Sequence, residues 1–313
     1  MLIVTGGAGF IGSNIVKGLN KIGRKDLLVV DDLTEGEKFL NISDCNIMDF
    51  MDKEEFIELF KKDDPYLKNI EAIFHEGACS DTTEWNGKFM MENNFTYSKT
   101  LFHKAIQNNI QFIYASSASV YGNNVNFDES PENEKTLNIY AYSKLLFDNY
   151  VRRYLNGIKN QVAGLRYFNV YGPREFHKKN MASVAWHFYN QIKENGVCRL
   201  FEGTDGYGNG EQRRDFVYVE DVVDVNLWLF AHPEVSGIFN VGTGKAQTFN
   251  DIAESVIKYL GKGTLEYVKF PDHLKGRYQS FTEADISFLR EKGYSNNFKT
   301  VDQGVKNYLD SIL

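Results

Sequence analysis

The sequence predicts an α/β protein built on a doubly wound parallel sheet. Apolar strand-like runs alternate with helix-like segments through the first half of the chain, and the first apolar run ends in a cluster of glycines. Strands joined through helices lie parallel, with helices covering both faces of the sheet. The 313 residues, 42% hydrophobic and 25% charged, are typical of a globular protein and exclude a coiled coil, collagen or intrinsic disorder.

The first β-α-β unit spans residues 2–31. An apolar run at 2–4 predicts a strand, apolar residues recur at helical spacing between 11 and 19, and a second apolar run fills 27–30. The same alternation then predicts helices at 52–60, 94–107 and 140–154, and strands at 72–75, 112–115 and 162–166.

Beyond about residue 169 the alternation becomes irregular. We expect residues 216–219, followed by a helix from 221, to return the chain to the sheet, and residues 237–242 to add one more short strand. Four glycines within 203–210 are too many for the interior of a helix or strand, so this segment is predicted to be a mobile surface loop.

A glycine-rich turn joins the first strand to the first helix. The run 6–12, Gly-Gly-Ala-Gly-Phe-Ile-Gly, contains G-x-G-x-x-G in the strand-turn-helix setting that gives the motif its meaning. Without side chains the backbone can approach a pyrophosphate closely, and the helix N-terminus offers N–H donors and partial positive charge. The sequence therefore predicts a dinucleotide-binding site here.

The residues after the second strand bear on which dinucleotide binds. Asp31 follows the second glycine of the run by 24 residues, where an acid normally bonds the adenine ribose, and by itself it favours NAD. Lys38 and Lys53 follow it and could instead hold the 2′-phosphate of NADP, although two such lysines can equally be surface charges. The spacing leaves NAD and NADP equally open.

The length allows about two domains. We predict a dinucleotide-binding Rossmann domain from residues 1–168 and 216–243, and a smaller α/β substrate domain from residues 169–215 and 244–313.

The segment His75-Glu-Gly-Ala-Cys79 nearly matches the zinc motif H-E-x-x-H, but its fifth residue is Cys and it ends a strand. It is better interpreted as a glycine turn lying against the cofactor, and no metal is predicted.

Charge and cysteine content restrict the partners. The net charge is −7 and no Lys/Arg-rich run is present, so nucleic acid is not expected to bind. Three cysteines without a C-x-x-C pair suit a reducing compartment. No run of 18 apolar residues and no basic leader is present, so we expect a cytoplasmic protein that is neither exported nor membrane-spanning.

Tyr140 and Lys144 form Y-x-x-x-K in a predicted helix. Residues i and i+4 share a helix face, so the ammonium can favour the phenolate and lower a pKa that is otherwise near 10. Ser117, at a predicted strand end, can hydrogen-bond the same oxygen. A phenol with a lowered pKa suits proton transfer at a sugar hydroxyl while a cofactor takes hydride. Such a constellation argues against a silent dinucleotide sensor.

Seven further runs, spread over essentially the whole chain, are typical of one enzyme family: Thr5–Asn14, Phe74–Ser80, Thr83–Trp85, Arg166–Glu175, Met181–Val184, Arg214–Tyr218 and Lys275–Gln279. With Ser117, Tyr140 and Lys144, the chain resembles the extended short-chain dehydrogenase/reductase family and, within it, the ADP-heptose 6-epimerases. The resemblance implies epimerisation at C6″ of an ADP-heptose for lipopolysaccharide core synthesis, with tightly held NADP. It also implies a homo-oligomer, with a pentamer as one form.

The resemblance assigns site residues by position. Tyr140 and Lys178 would be the two acid/bases, Lys144 the partner of the tyrosine and Ser117 the triad serine. The expected cofactor contacts are Gly6, Gly7, Gly9, Phe10, Ile11, Gly12, Asp31, Asp32, Lys38, Lys53, Glu76, Gly77, Ala78, Cys79, Ser80, Asn93, Lys144, Val170 and Lys178. The expected substrate contacts are Ser117, Asn169, Asn180, His187, Phe201, Glu202, Gly203, Thr204, Arg214 and Tyr278.

Two rival enzyme classes share this fold. A nucleotide-sugar 4,6-dehydratase needs an extra acid and base, typically Asp-Glu directly after the triad hydroxyl residue, where this chain has Ala118 and Ser119. A UDP-hexose 4-epimerase is the nearer alternative, since it also oxidises and re-reduces one carbon, but it has no evident use for a base at Lys178. Asn180, where the family more often has Ser, and a longer 205–212 loop are the departures from the pattern.

Overall fold

The computed structural model describes residues 1–272 and 278–313. Residues 275–277 of the run Lys275–Gln279, used for the resemblance, therefore lie outside the described residues. In chain order, the strands are β1 (Leu2–Thr5), β2 (Leu27–Asp31), β3 (Asp49–Asp52), β4 (Ala72–His75), β5 (Gln111–Ser117), β6 (Val162–Tyr167), β7 (Asn169–Tyr171), β8 (Val197–Phe201), β9 (Arg213–Arg214), β10 (Phe216–Tyr218), β11 (Gly237–Val241), β12 (Gln247–Thr248) and β13 (Thr264–Val268).

The α-helices are α1 (Phe10–Lys21), α2 (Lys53–Lys61), α3 (Gly87–Met90), α4 (Tyr97–Gln107), α5 (Ile139–Arg152), α6 (Val184–Asn195), α7 (Val219–Ala231), α8 (Phe249–Leu260), α9 (Ser287–Glu291) and α10 (Val301–Ile312). A π-helical turn, Met91–Thr96, connects α3 to α4, and short 3₁₀ turns include Ala118–Tyr121 and Phe176–Met181. In the part of the chain that the structure describes, no helix is long and apolar enough to cross a membrane.

The chain divides into two compact units. The first consists of residues 1–120, 138–166 and 223–239, and the second of residues 121–137, 167–222 and 240–313. The second unit thus includes 121–137 and 216–222, which the sequence-based division places in the dinucleotide-binding domain.

A seven-stranded sheet of order β11-β6-β5-β4-β1-β2-β3 forms the centre of the first unit. The pairs β1–β2, β1–β4, β2–β3 and β4–β5 are parallel. All residues of β1, β2 and β4 are buried, as expected for strands covered on both faces, which explains their continuous apolar sequences. The predicted α/β fold class, a doubly wound parallel sheet, is confirmed.

Two elements of the first unit differ from the predicted pattern. β3 was not predicted, because its Asp-Phe-Met-Asp sequence lies at the sheet edge, where only Met51 is buried. The helix predicted at 94–107 is α4, which begins at Tyr97 after the π-helical turn. A π-turn has no periodicity that a sequence pattern reveals, and such turns often occur at functional sites.

The expectation that residues 216–219 rejoin the main sheet is wrong. β10 pairs in parallel with β7, giving a separate two-stranded sheet in the second unit, while β11 is the strand next to β6. The second unit also contains the parallel pair β8–β13 and the packed helices α6, α8 and α10. The glycine-rich segment 203–210 lies between β8 and β9, outside any helix or strand.

Candidate active site

The glycine turn between β1 and α1 is a cradle that side chains would fill. A Cβ on Gly12 would lie 2.2 Å from the Gly6 carbonyl oxygen, and Gly6 has a φ of 65°, so both positions require glycine. Helix α1 begins after Gly9 with no side-chain cap. The first turn therefore presents its N-terminal end without a capping side chain, which fits the pyrophosphate of a dinucleotide.

Asp31, at the end of β2, is held by donors on both carboxylate oxygens. Oδ2 accepts from the Ala8 amide at 2.8 Å, and Oδ1 accepts from the Asp32 amide at 2.7 Å and from Lys38 Nζ at 2.5 Å. Lys38 Nζ also donates to the Asp32 carbonyl oxygen at 2.6 Å. Asp31, which its spacing from the glycine run predicts to bond a ribose, thus holds the glycine turn through Ala8 and is paired with the cation of Lys38.

The second predicted lysine joins the same group. Lys53 Nζ lies 3.4 Å from Asp32 Oδ2 and donates to Asn93 Oδ1 at 3.4 Å. A hydrogen bond from Thr34 and the charge of Lys53 lower the pKa of Asp32 to about 2. The structure thus brings together the predicted cofactor contacts Asp31, Asp32, Lys38, Lys53 and Asn93.

The turn after β4 packs directly on the glycine turn. A Cβ on Gly6 would lie 2.7 Å from the Gly77 amide nitrogen. The ring nitrogens of His75 lie 2.6 Å from Thr5 Oγ1 and 2.7 Å from Ser98 Oγ, so both are engaged by hydroxyl groups. Burial lowers the pKa of His75 to about 3, which keeps the ring neutral. The predicted 76–80 turn and the glycine run therefore form one surface.

Asn94 links this turn to the helix of the predicted catalytic tyrosine. Its Oδ1 accepts from the Cys79 amide at 2.8 Å, and its Nδ2 donates to the Cys79 carbonyl oxygen at 2.9 Å and to Ser143 Oγ at 3.1 Å. The Ser143 hydroxyl donates in turn to the Tyr140 carbonyl oxygen at 2.7 Å. Sequence reasoning missed Asn94, because a polar residue inside a helical pattern does not reveal its partners.

Ser117, Tyr140 and Lys144 come together at the end of β5 and the start of α5. The Asn138 side chain caps α5 by accepting from the Ala141 amide, which begins the helix beside Tyr140. Lys144 Nζ donates to the Ala115 carbonyl oxygen at 2.8 Å. A hydrogen bond joins the side chains of Ser117 and Tyr140.

The electrostatics of the triad correct one expectation. Burial raises the pKa of Tyr140, while the hydrogen bond with Ser117 acts in the opposite direction, so the net shift is upward rather than downward as predicted. Burial also lowers the pKa of Lys144 to about 8, with Glu76 opposing it. Desolvation outweighs the local charges, because both groups lose water on folding.

Asp148, four residues after Lys144 on α5, forms a buried ion pair with Arg166 of β6. Arg166 Nε donates to Asp148 Oδ2 at 2.9 Å, and both side chains are fully buried. Tyr114 and Ser116 also donate to the Asp148 carboxylate, at 3.0 and 2.9 Å, from either side of Ala115. Asp148 thus fixes the strand segment that receives Lys144, a role that sequence reasoning did not anticipate.

In the second unit, Lys178 lies in the 3₁₀ turn Phe176–Met181. Its side chain is half-buried. Burial lowers the pKa of Lys178, and the charge of Glu175 acts against that shift. An amine whose pKa is brought toward neutrality is suited to accept and release a proton.

Arg214 forms the centre of an aromatic cluster in the second unit. Its guanidinium lies 4.7 Å from the ring centre of Tyr278 and 5.7 Å from that of Phe249, and the side chain is buried. The Tyr278 ring packs on Phe270, which packs on Phe201, each pair 5.4 Å apart. Two predicted substrate contacts, Phe201 and Tyr278, thus belong to the same cluster as Arg214, a cation suited to phosphate.

The other predicted residues of the second unit are more dispersed. Asn169 is exposed at the start of β7 and lies 3.5 Å from the Thr282 hydroxyl, and Val170 follows it in the pairing with β10. Asn180 is exposed at the end of the Lys178 turn, and His187 is half-buried on α6. Glu202 and Gly203 are exposed and Thr204 is half-buried, after β8.

A glycine cradle with a Ser-Tyr-Lys group on a doubly wound sheet defines a nicotinamide-dependent enzyme of the short-chain dehydrogenase type. The sequence profile of the NAD dependent epimerase/dehydratase family matches residues 2–242. The chain belongs to that family.

Among the similar proteins of this family are two ADP-heptose 6-epimerases and a 4-epimerase. The chain is 60% identical over 312 residues to an ADP-L-glycero-D-manno-heptose-6-epimerase of Alkalilimnicola ehrlichii, covering 100% of this chain and 97% of the relative. The crystal structure of the Helicobacter pylori ADP-L-glycero-D-manno-heptose-6-epimerase is similar with a TM-score of 0.86 and 31% identity, covering 99% of this chain and 95% of that one. A UDP-N-acetylglucosamine 4-epimerase from Methanobrevibacter ruminantium has a TM-score of 0.84 and 27% identity, covering 99% and 97%.

Proposed function

We propose that this protein epimerises ADP-D-glycero-D-manno-heptose to ADP-L-glycero-D-manno-heptose at C6″, for lipopolysaccharide core synthesis. The observation that supports this choice of substrate is the 60% identity to an ADP-heptose 6-epimerase over the full length of this chain. The Ser117, Tyr140 and Lys144 group supports the reaction type, since it supplies proton transfer at an alcohol.

The reaction needs oxidation before inversion. A carbinol carbon without a neighbouring carbonyl has no acidic C–H proton, so its configuration cannot be inverted by deprotonation alone. A bound nicotinamide would supply the hydride acceptor for C6″ in its oxidised form and the hydride donor for the opposite face of the 6″-ketone in its reduced form. Rotation about the exocyclic bond exposes that face.

The residues of the chain move the protons. In one orientation of the substrate oxygen, Tyr140 exchanges the hydroxyl proton, with Ser117 hydrogen-bonded to the phenol and Lys144 as its cationic partner. In the other orientation, we assign the exchange to Lys178. Arg214 is suited to the pyrophosphate of the ADP moiety, because a guanidinium can bond two phosphate oxygens.

We propose NADP rather than NAD as the cofactor. Asp31 is paired with Lys38 and bonded to two backbone amides, so its oxygens already have donors. Lys53 adds a second cation 3.4 Å from Asp32. Two lysines beside the position of the adenine ribose suit a 2′-phosphate better than a 2′-hydroxyl.

We further propose that the enzyme works in the cytoplasm as a homo-oligomer and binds neither nucleic acid nor membranes. Cys45, Cys79 and Cys198 are free thiols, which suits a reducing compartment. The homo-oligomer is proposed from the family resemblance, which includes a pentamer among the expected states.

One experiment tests the reaction and the cofactor. The nucleotide released from purified protein is identified, and the protein is incubated with ADP-D-glycero-D-manno-heptose while C6″ is followed by NMR. We expect NADP and inversion at C6″. No change at C6″, together with inversion at C4 of a UDP-hexose, would favour a UDP-hexose 4-epimerase or another nucleotide-sugar epimerase instead.

A further inference from the structure

The segment around Lys178 is a loop whose two ends converge on one buried carboxylate. Glu175, only 1% exposed, precedes Lys178 by three residues. Its Oε1 accepts from the Gly172 amide at 3.3 Å, before the turn, and its Oε2 accepts from the Ser183 amide at 2.5 Å, after the turn. The carboxylate therefore bridges the start and the end of the loop through backbone groups.

Further bonds centre on the same residue. The Ser183 hydroxyl donates to Glu175 Oε1 at 2.7 Å, and Tyr308 of α10 bonds the carboxylate as well. The Lys178 amide donates to the Glu175 carbonyl oxygen at 2.9 Å. Side chain and main chain of Glu175 thus hold the ends and the middle of the loop.

The loop backbone is strained on both sides of Lys178. Arg174 has a φ of 76° and Lys179 a φ of 50°, and neither residue is glycine. Residues in such conformations persist only where surrounding contacts over-determine them. The bonds to Glu175 supply those contacts, because they fix the chain at Gly172, before Arg174, and at Ser183, after Lys179.

We propose that Glu175 is a positioning residue that closes the 172–183 loop and thereby places the Lys178 amine for proton transfer; the inference rests on the acid/base role assigned to Lys178 above. Glu175 itself does not exchange a proton with the substrate. Its negative charge also favours the ammonium form of Lys178 against burial.

The isosteric variant Glu175→Gln tests this directly. The Gly172 and Ser183 amides bond different carboxylate oxygens, so in either orientation the new NH₂ group meets a backbone N–H that can only donate. One end of the loop must then lose its anchor, although the size and shape of the side chain are retained.

The readout is oxidation of each C6″ epimer in a single turnover, followed by nicotinamide reduction. We expect Glu175→Gln to slow, by about tenfold, the same epimer whose oxidation Lys178→Met slows, and to leave the other epimer largely unchanged. Hydrogen exchange measured by mass spectrometry should become faster in 172–183 and stay unchanged in α8, which carries no group bonded to Glu175.

Thr300→Ala is the matched control. It removes the capping box of α10 in the same unit but none of the groups that bond Glu175, so a general loss of stability should not alter the ratio of the two oxidation rates. Equal slowing of both epimers by Glu175→Gln, or unchanged exchange in 172–183, would overturn the inference. Absence of C6″ epimerisation by the wild-type protein, or no epimer preference in Lys178→Met, would instead overturn the proposed function.

Discussion

The glycine turn of the first unit and the Lys178 loop of the second unit are both irregular segments that carry site residues, yet they are held in different ways. The glycine turn lies between β1 and α1, and its shape follows from missing side chains and from hydrogen bonds to Asp31 at the next strand end. The Lys178 loop connects β7 to α6 and depends on one buried carboxylate.

This difference shows which site residues can be located from the local sequence alone. A turn between two regular elements has a fixed spacing, so its glycines and its acid can be located from the sequence. A loop closed by a buried carboxylate has no such spacing, because its donors come from Gly172, Ser183 and the distant Tyr308.

The largest effect is expected from Tyr140→Phe in the first unit. Removing the phenolic oxygen takes away the acid/base for one orientation of the substrate, so turnover should fall by about a thousandfold while the fold is kept. Tyr142→Phe, on the same helix but exposed, should retain activity. Steady-state epimerisation and circular dichroism check this, and a fully active Tyr140→Phe would refute the assignment.

Lys178→Met in the second unit should be nearly as damaging but selective. Because the lysine serves only one orientation of the substrate oxygen, oxidation of one epimer should slow by about a hundredfold and that of the other much less. Transient nicotinamide reduction with each epimer measures the two rates. Lys179→Met is the neighbouring control, and equal slowing of both epimers by Lys178→Met would argue against two acid/bases.

Buried groups in the two units should respond to acid in opposite directions. The pKa of His75 is about 3 in the folded first unit and near 6.5 when unfolded, so the unfolded state binds the extra proton between these values. The free energy of unfolding should therefore fall by about 2 kcal/mol between roughly pH 6.5 and 5. Urea titrations of wild-type and His75→Asn protein measure this contribution.

Two buried carboxyl groups of the second unit, Glu175 and Asp215, respond to acid in the opposite direction. Burial raises the pKa of Glu175 and of Asp215, so the folded state binds protons more readily than the unfolded state, and their contribution to stability rises as pH falls. We expect the His75→Asn variant to lose the acid-dependent fall in stability. An unchanged fall would contradict the assignment of this acid response to His75.

The smallest effect is expected from Lys38→Ala. Losing the cation paired with Asp31 should weaken NADP binding by about tenfold and leave NAD binding equal or stronger, since the freed carboxylate can accept from a ribose hydroxyl. Isothermal titration with both nucleotides checks this. Lys17→Ala, which removes an exposed pair with Asp44, is the control, and equal weakening of both nucleotides would contradict the NADP proposal.

Much of the first unit could be predicted, because β1, β2 and β4 are continuous buried apolar runs and its helices repeat apolar residues at helical spacing. β4 was predicted at its observed bounds, and α5 within two residues of them. The second unit was predicted less well. β10 is only three residues long, and its partner is β7 rather than the main sheet, a choice that depends on which strand occupies the place beside β6.

The candidate site shows the same limit. Local motifs pointed to Ser117, Tyr140 and Lys144, and the structure places them together. The upward pKa shift of Tyr140 was not foreseen, because desolvation depends on how much of the chain packs over the phenol. Asn94, Asp148 and Glu175 were missed for a related reason, since their partners lie far away in the chain or on a turn without periodicity.

By itself, the sequence determined the alternation of strands and helices, the glycine turn, and the tyrosine and lysine that share a helix face. These features depend on residues a few positions apart, whose geometry the backbone dictates. Only the tertiary structure decided that Asp31 is paired with Lys38, that Tyr140 and Lys144 are desolvated, and that Glu175 closes the loop of Lys178. Burial and the pairing of buried charges depend on segments distant in the chain, so a local sequence pattern does not predict either.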